Sequence, residues 1–256
     1  MAKKYNDQNK KATGLKTYPV PLGIVEIKEN FTIFTNNISK NSKEHIINQA
    51  FMFHTKGNIS EAVKYYQYFI DQGIEDHRVF YNYALISKEK CELDKAELFT
   101  RKAIKIRSNY ADTHNFLGTI LMDRGKQKEA ELSIRKAIEL NPNHPNAHLN
   151  HGIILKDLGQ IEEAKISLRK AIKLNPNIFT SYFILAETLI LQKKLKEAEK
   201  NLRKTIEIKP DFALAHSNLG IILKKLGNLK EAKEFYLNAI KLMPNLAISH
   251  YNLGNL

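Results

Sequence analysis

Apolar residues follow a helical spacing along the chain and are interrupted by short polar breaks. In residues 111–144 a first apolar stripe of helical spacing is followed by a break and then by a second stripe. The first stripe comprises Phe116, Leu117, Ile120 and Leu121, and the second comprises Ala130, Ile134, Ala137, Ile138 and Leu140. Gly125 in the break can adopt the positive φ that ends a helix, and Pro142 closes the second stripe because the residue before a proline avoids helical geometry. The pattern therefore predicts a helical hairpin.

The hairpin pattern recurs every 34 residues. Alanines keep this step at Ala62, Ala96, Ala130, Ala164, Ala198 and Ala232, and prolines keep it at Pro142, Pro176, Pro210 and Pro244. A second small-residue position holds Ala50, Ala84, Gly118, Gly152, Ala186, Gly220 and Gly254. Small residues allow the two helices of a hairpin to approach closely, and a leucine there would force them apart. We predict six hairpins, at 43–76, 77–110, 111–144, 145–178, 179–212 and 213–246, followed by a truncated seventh at 247–256.

This pattern resembles the tetratricopeptide repeat, a 34-residue helix–turn–helix unit. Counted from Ala111, the marker positions 8, 20, 27 and 32 of that family hold Gly118, Ala130, Ala137 and Pro142. The first two repeats depart from the pattern, with Phe69, Ile74 and Ser108 at positions where alanine or proline is expected. The resemblance implies an all-α fold, a right-handed superhelix of stacked hairpins.

The ends of the chain differ from the repeats. Residues 1–42 carry seven lysines against three acidic residues and include the extended-type segment Tyr18-Pro19-Val20-Pro21, so we predict a basic, partly disordered leader. This leader resembles those that precede such repeats in small marine cyanobacteria. Because a repeat array buries its apolar faces only against neighbours, the lack of a polar cap after residue 246 predicts a longer array, fraying of the last units, or self-association through this end.

Asparagines are the candidate ligand-binding residues. In the tetratricopeptide family, positions 2, 5, 6, 9, 12 and 13 of each repeat line the concave groove. Position 6 holds Asn48, Asn82, Asn150, Asn218 and Asn252, while Asn115 lies one residue earlier than this register. An asparagine amide both donates and accepts, so such a series can hold a peptide backbone. The series resembles the asparagine ladder in the repeat arm of O-linked N-acetylglucosamine transferases, although asparagine is also common at this position of the repeat consensus.

Position 5 adds apolar character to the predicted groove. Tyr81 and Phe183 occupy it, and no lysine does, which argues against the carboxylate clamp that some members of the family use for chaperone tails. We therefore predict a groove with apolar pockets between polar contacts, suited to a peptide or a helix of a partner protein.

Charge raises a second possibility. The net charge is +13, and 26% of the residues are charged. Basic pairs recur on the second helices at Arg101-Lys102, Arg135-Lys136, Arg169-Lys170 and Arg203-Lys204. They permit an RNA- or anion-binding scaffold, but glutamates four residues before three of the arginines predict ordinary ion pairs on a solvated helix, and no aromatic platform accompanies them. Nucleic acid is therefore the weaker prediction, and a neutral or acidic protein segment is the favoured partner.

Catalytic and metal-binding patterns are missing from the sequence. His144, His148 and His151 have helical spacing, but His144 precedes Pro145, so the three need not converge on a metal. Cys91 is the single cysteine, which rules out an intrachain disulfide, and no phosphate loop, Gly-x-Ser-x-Gly or His-Glu-x-x-His motif occurs. We predict no metal, no cofactor and no enzymatic activity.

The sequence as a whole predicts a cytoplasmic, non-catalytic scaffold for protein interaction. No apolar run of about 18 residues occurs, and the N-terminal residues lack the apolar segment of a signal peptide. The alternative from the enzyme class is the substrate-recognition arm of a transferase whose catalytic part lies outside this chain.

Overall fold

A computed structural model describes residues 40–256, with side chains from residue 43 onward, so the leader predicted for residues 1–42 lies almost wholly outside the described residues. Within that range the chain forms thirteen α-helices and no strand. They are α1 (Lys40–Thr55), α2 (Ile59–Asp71), α3 (His77–Glu89), α4 (Leu93–Ile106), α5 (Ala111–Asp123), α6 (Gln127–Leu140), α7 (Pro145–Asp157), α8 (Ile161–Leu174), α9 (Phe179–Leu191), α10 (Leu195–Ile208), α11 (Ala213–Lys225), α12 (Leu229–Leu242) and α13 (Ala247–Gly254).

The helices pair into hairpins, each with an odd-numbered first helix and an even-numbered second helix. Two compact units result: unit 1 ends at Ser108 and contains α1–α4, while unit 2 runs from Asn109 to Leu256 and contains α5–α13. Within unit 2, each second helix also packs against the first helix of the next hairpin. These helices confirm the all-α repeat fold that the 34-residue period predicts.

Glycine sets the distance between the helices of three hairpins in unit 2. A Cβ atom at Gly152 would lie 2.6 Å from Cγ of Leu168 and 3.3 Å from the carbonyl oxygen of Ala164. At Gly220 it would lie 2.6 Å from Cε1 of the fully buried Tyr236. The small-residue position predicted from the sequence therefore does bring the two helices together, and the residue that it accommodates is a large side chain of the second helix.

Two hairpin turns use a residue other than glycine in the left-handed region. Gly125 has φ +74°, as expected for its turn, whereas the equivalent positions in α3–α4 and α9–α10 are Cys91, with φ 62°, and Lys193, with φ 59°. A side chain in this conformation costs about 1–2 kcal/mol because Cβ approaches the next carbonyl oxygen. Both residues are exposed, so neither side chain is part of the core.

Histidines connect consecutive hairpins of unit 2. Nε2 of His148 lies 2.9 Å from the carbonyl oxygen of Pro142, and the same bond joins His216 to Pro210 at 2.8 Å. It recurs at the next junction, between His250 and Pro244, again at 2.8 Å. Because the acceptor is a carbonyl, Nε2 carries the proton and donates it. The turn that ends one hairpin thus orients an imidazole of the next.

Candidate functional site

The first helices of unit 2 lie side by side and form one face of that unit, which we call the first-helix face (α5, α7, α9, α11 and α13). Polar contacts link neighbouring helices along it. The buried hydroxyls of Ser217 and Ser249 are 2.9 Å apart between α11 and α13, and Nζ of Lys224 donates to the carbonyl oxygen of Asn255 at 2.6 Å. The predicted groove residues of this unit all lie on these helices.

Two of the predicted asparagines interact directly. Nδ2 of Asn150 on α7 donates to Oδ1 of Asn115 on α5 at 2.9 Å, and both side chains are half-buried. Asn115 therefore reaches its neighbour even though it lies one residue outside the register of the series. Among the described residues, this bond leaves the amide nitrogen of Asn115 and the amide oxygen of Asn150 without another hydrogen bond, so the pair can offer one donor and one acceptor to a ligand.

The other predicted asparagines occupy different environments. Asn218 is half-buried on α11, and Asn252 on α13 has a buried Nδ2 with no hydrogen-bond partner in the described part of the chain. In unit 1, Asn48 is exposed on α1, whereas Asn82 on α3 is only 1% exposed and donates Nδ2 to the carbonyl oxygen of Arg78 at 2.9 Å. The series therefore does not present equivalent side chains.

The two aromatic residues predicted for the groove are buried. Tyr81 is 7% exposed on α3, and Phe183 is 2% exposed on α9. The ring of Phe183 packs edge-on against Phe212, with centroids 4.9 Å apart, inside the core of unit 2. Partly buried aliphatic side chains, rather than these rings, supply apolar surface next to this core on the first-helix face: Ile153, Ile190 and Ile221.

A charged pair on the first-helix face was not predicted from the sequence. Nζ of Lys156 on α7 donates to Oε2 of Glu187 on α9 at 3.0 Å and lies 3.9 Å from the carboxylate of Asp157. Burial raises the pKa of Asp157, and the Lys156 charge only partly offsets this effect. Lys156 and Glu187 occupy positions 12 and 9 of consecutive repeats, a relation that becomes visible only when adjacent first helices are aligned.

In unit 1 the first helices are joined by a stronger ion pair. Arg78 on α3 donates through two nitrogens to the carboxylate of Glu44 on α1, at 2.6 and 2.8 Å. These hydrogen bonds lower the pKa of Glu44. The pair fixes α1 against α3 at the residues that precede Asn48 and Asn82.

The basic strip on the second helices is largely neutralised. Arg101 pairs with Glu97 at 2.9 Å, Arg135 with Glu131 at 2.9 Å and Arg203 with Glu199 at 2.8 Å, all across one helical turn. Arg169 lies 3.6 Å from Glu197 of the next hairpin. The ion pairs predicted from the spacing of these residues therefore form, and they weaken the case for a strip that binds polyanions.

The three histidines with helical spacing point to three different partners. Nε2 of His144 lies 2.9 Å from Oδ1 of Asp112, while Nδ1 accepts the amide proton of Ala147. His148 bonds to the proline carbonyl described above, and Nδ1 of His151 lies 3.0 Å from Oγ of Ser167. In the part of the chain that is described, no cluster of three potential metal ligands occurs. Nor is any helix there both long enough and apolar enough to cross a bilayer.

Sequence models of one repeat family match the chain. A model described as tetratricopeptide repeat matches residues 111–144 and 145–178, a second with the same description matches 213–246, and one described as TPR repeat matches 186–227. Together they span about half of the chain. No curated protein matches its sequence.

Several solved structures have the same arrangement of helices. YrrB, a tetratricopeptide repeat protein whose structure is reported with an unusual peptide-binding site, is 25% identical, with a TM-score of 0.58, and the match covers 75% of this chain and 98% of YrrB. MamA is also 25% identical, with a TM-score of 0.57 and coverage of 64% and 96%. PilF of Pseudomonas aeruginosa is 17% identical, with a TM-score of 0.74 and coverage of 84% and 98%, and it supports the fold alone.

Proposed function

Because the chain belongs to the tetratricopeptide repeat family, we propose that it is a protein-interaction scaffold whose first-helix face binds a peptide or helix of a partner. The hydrogen bond between Asn150 and Asn115 carries this proposal, because it orients two amides and leaves one donor and one acceptor for a peptide group. The likeness to YrrB, with its peptide-binding site, supports the same function.

Other side chains of the first-helix face define the partner further. Ile153 and Ile221 offer partly buried aliphatic surface on the same face, so apolar side chains of the bound segment would lie there while its backbone meets the amides. The net charge of +13 favours a neutral or acidic segment and an association that weakens as salt increases. Binding of this kind involves no catalytic step.

The test is a comparison of captured partners. The variant Asn115→Ala/Asn150→Ala/Asn218→Ala removes the proposed polar contacts and should lose at least one protein that the wild-type chain retains from a native lysate. The control is Asn201→Ala on α10, whose amide donates to the carbonyl of Glu197 within its own helix. Unchanged capture by the triple variant would refute the proposal. A fragment of the lost partner should then bind wild-type protein in calorimetry and bind more weakly at high salt.

Self-association is the second interaction that we propose. The last helix, α13, leaves Tyr251 69% exposed and Ile248 46% exposed, and two such apolar side chains on one short helix favour contact with a second copy. Tyr251→Ser should shift the chain toward the monomer in sedimentation velocity. Equal sedimentation of variant and wild type over a hundredfold range of concentration would contradict this part of the proposal.

A further inference from the structure

A hollow of about 470 Å³ opens among the second helices of unit 2, between α6 and α8, with α7 at its base. It is lined by Arg135 and Ile138 from α6, His148 and His151 from α7, and Ile166, Ser167 and Lys170 from α8. None of these residues belongs to the proposed peptide contacts of the first-helix face. The hollow is therefore a separate feature of the unit.

The hairpin two repeats later has an aromatic ring at the corresponding place. Counted from the start of each repeat, Arg203 corresponds to Arg135 and His216 to His148. There the guanidinium carbon of Arg203 lies 5.8 Å from the ring centroid of Phe235, and the imidazole of His216 lies 5.6 Å from it at an interplanar angle of 36°. An arginine and a histidine in these positions thus both contact one aromatic ring.

The two walls of the hollow, Arg135 and His148, are oriented by the same hydrogen bonds as Arg203 and His216 beside Phe235. Nε2 of His148 bonds to the carbonyl of the preceding proline at 2.9 Å, and His216 does the same at 2.8 Å. Nε of Arg135 bonds to Glu131 at 2.9 Å, and Nε of Arg203 bonds to Glu199 at 2.9 Å. The orientation of each wall is fixed by the same kind of bond in both hairpins.

The two hairpins differ in the side chain at the position of the aromatic ring. Ser167 occupies the repeat position of Phe235, and its hydroxyl bonds to Nδ1 of His151 at 3.0 Å. His151 occupies a position that holds Leu219 in the later hairpin, and its Nε2 is buried without a hydrogen-bond partner among the described residues. The hollow therefore has space for a ring, and Nε2 of His151 in its lining is available for a hydrogen bond.

We propose that this hollow receives a phenylalanine or tyrosine side chain of a partner protein, which contacts Arg135 and His148 as Phe235 contacts Arg203 and His216. The ring is supplied by another chain because serine replaces it in this one. Ile138 and Ile166 provide the apolar contacts at its edges, with Ile166 69% exposed until the partner binds.

The charge around the hollow determines which residues of the partner should flank its aromatic residue. The lining includes the cations Arg135 and Lys170 and no carboxylate, but Glu131 already pairs with Arg135, so Lys170 supplies the positive charge that remains at this rim. Burial, and after it the positive charge of Arg135, lowers the pKa of His151, so this imidazole is neutral near pH 7 and adds no further charge. Acidic residues on either side of the aromatic residue complement this rim.

The test uses a blocked peptide, N-acetyl-Asp-Glu-Phe-Glu-Asp-amide, and the same peptide with alanine in place of phenylalanine. The wild-type chain should bind the phenylalanine peptide at least tenfold more tightly in calorimetry, with shifts of the His148 and His151 ring resonances in NMR spectra. Ser167→Phe should reduce binding to the level of the alanine peptide, because its own ring fills the hollow.

Three controls make the outcome decisive. The variant Asn115→Ala/Asn150→Ala/Asn218→Ala should bind the peptide unchanged, which separates this site from the first-helix face. Phe235→Ser should open a second hollow, but Glu234 and Asn238 stand there in place of Ile166 and Lys170, so the acidic peptide should still bind with a stoichiometry of one. If Ser167→Phe does not fold, His148→Ala removes one wall instead and should also abolish the preference for phenylalanine.

Either of two results would overturn the proposal. One is equal affinity of the wild-type chain for the phenylalanine and alanine peptides, which would mean attraction by charge alone. The other is equal affinity for the peptide and for N-acetylphenylalanine amide, which would mean that the hollow accepts small aromatic molecules and recognises no protein segment.

Discussion

Replacing Gly220 with alanine tests directly how the helices of a hairpin are spaced. The added methyl group would lie 2.6 Å from Cε1, 2.8 Å from Cδ1 and 3.1 Å from Cζ of Tyr236. These atoms belong to a rigid, fully buried ring, so the ring or a helix must move. Ala50 and Tyr66 combine the same two residue types in α1 and α2, so we expect the variant to fold but to be less stable.

Two opposing effects determine the magnitude. Overpacking a core costs about 1–3 kcal/mol, and contact with a ring places this site near the upper limit. Alanine in a helix is favoured over glycine by about 1 kcal/mol. The free energy of unfolding should therefore fall by about 2 kcal/mol, which corresponds to a decrease in Tm of about 4–8 °C for a unit of this size.

Urea unfolding followed by circular dichroism measures this change, with two companion variants. Gly254→Ala is the control, because a Cβ there meets nothing within 4 Å, and its stability should be unchanged or slightly higher. The double variant Gly220→Ala/Tyr236→Leu reproduces the pair Ala186 and Leu202 of α9 and α10. Its free energy of unfolding should therefore be higher than that of the Tyr236→Leu single variant. The packing argument would be wrong if Gly220→Ala were as stable as the wild type.

Two further predictions concern a strained turn and a buried histidine. Lys193→Gly should raise the free energy of unfolding by up to about 1 kcal/mol, since glycine adopts the left-handed turn without strain; lower stability in thermal melts would contradict this. His54 is buried beside Tyr66, with Nδ1 3.2 Å from its hydroxyl, and burial lowers the pKa of His54. The unfolded chain therefore binds a proton more readily, and stability falls as pH drops below about 6.5, by at most about 1.4 kcal/mol per pH unit for this group. His54→Gln should flatten that dependence in melts between pH 7 and 5, and an unchanged slope would contradict the assignment.

The fold could be predicted from the sequence because its determinants are local and recur. Gly118, Gly152 and Gly220 mark the positions where helices approach, and the turn glycines mark where first helices end. Even without glycine, the turns at Cys91 and Lys193 take the same backbone conformation, since the packing of the two helices outweighs a local strain of about 1–2 kcal/mol.

The candidate site could be predicted only in part. The asparagine series predicts which helices carry the candidate residues, but the exposure of these residues depends on neighbours that a single repeat does not reveal. Phe183 is buried because Phe212 of the next repeat packs against it, and Asn115 reaches Asn150 because adjacent first helices bring the two side chains together. The pair of Lys156 and Glu187 was missed for the same reason, since each residue alone resembles an ordinary surface charge.

The hydrogen bond from histidine to the proline carbonyl also affects how unit 2 unfolds locally. Each bond joins the last turn of one hairpin to the first helix of the next, as between Pro210 and His216, so loosening one hairpin removes an anchor of its neighbour. Amide exchange across α9–α12 should therefore be cooperative, with these two hairpins losing protection together rather than fraying one by one.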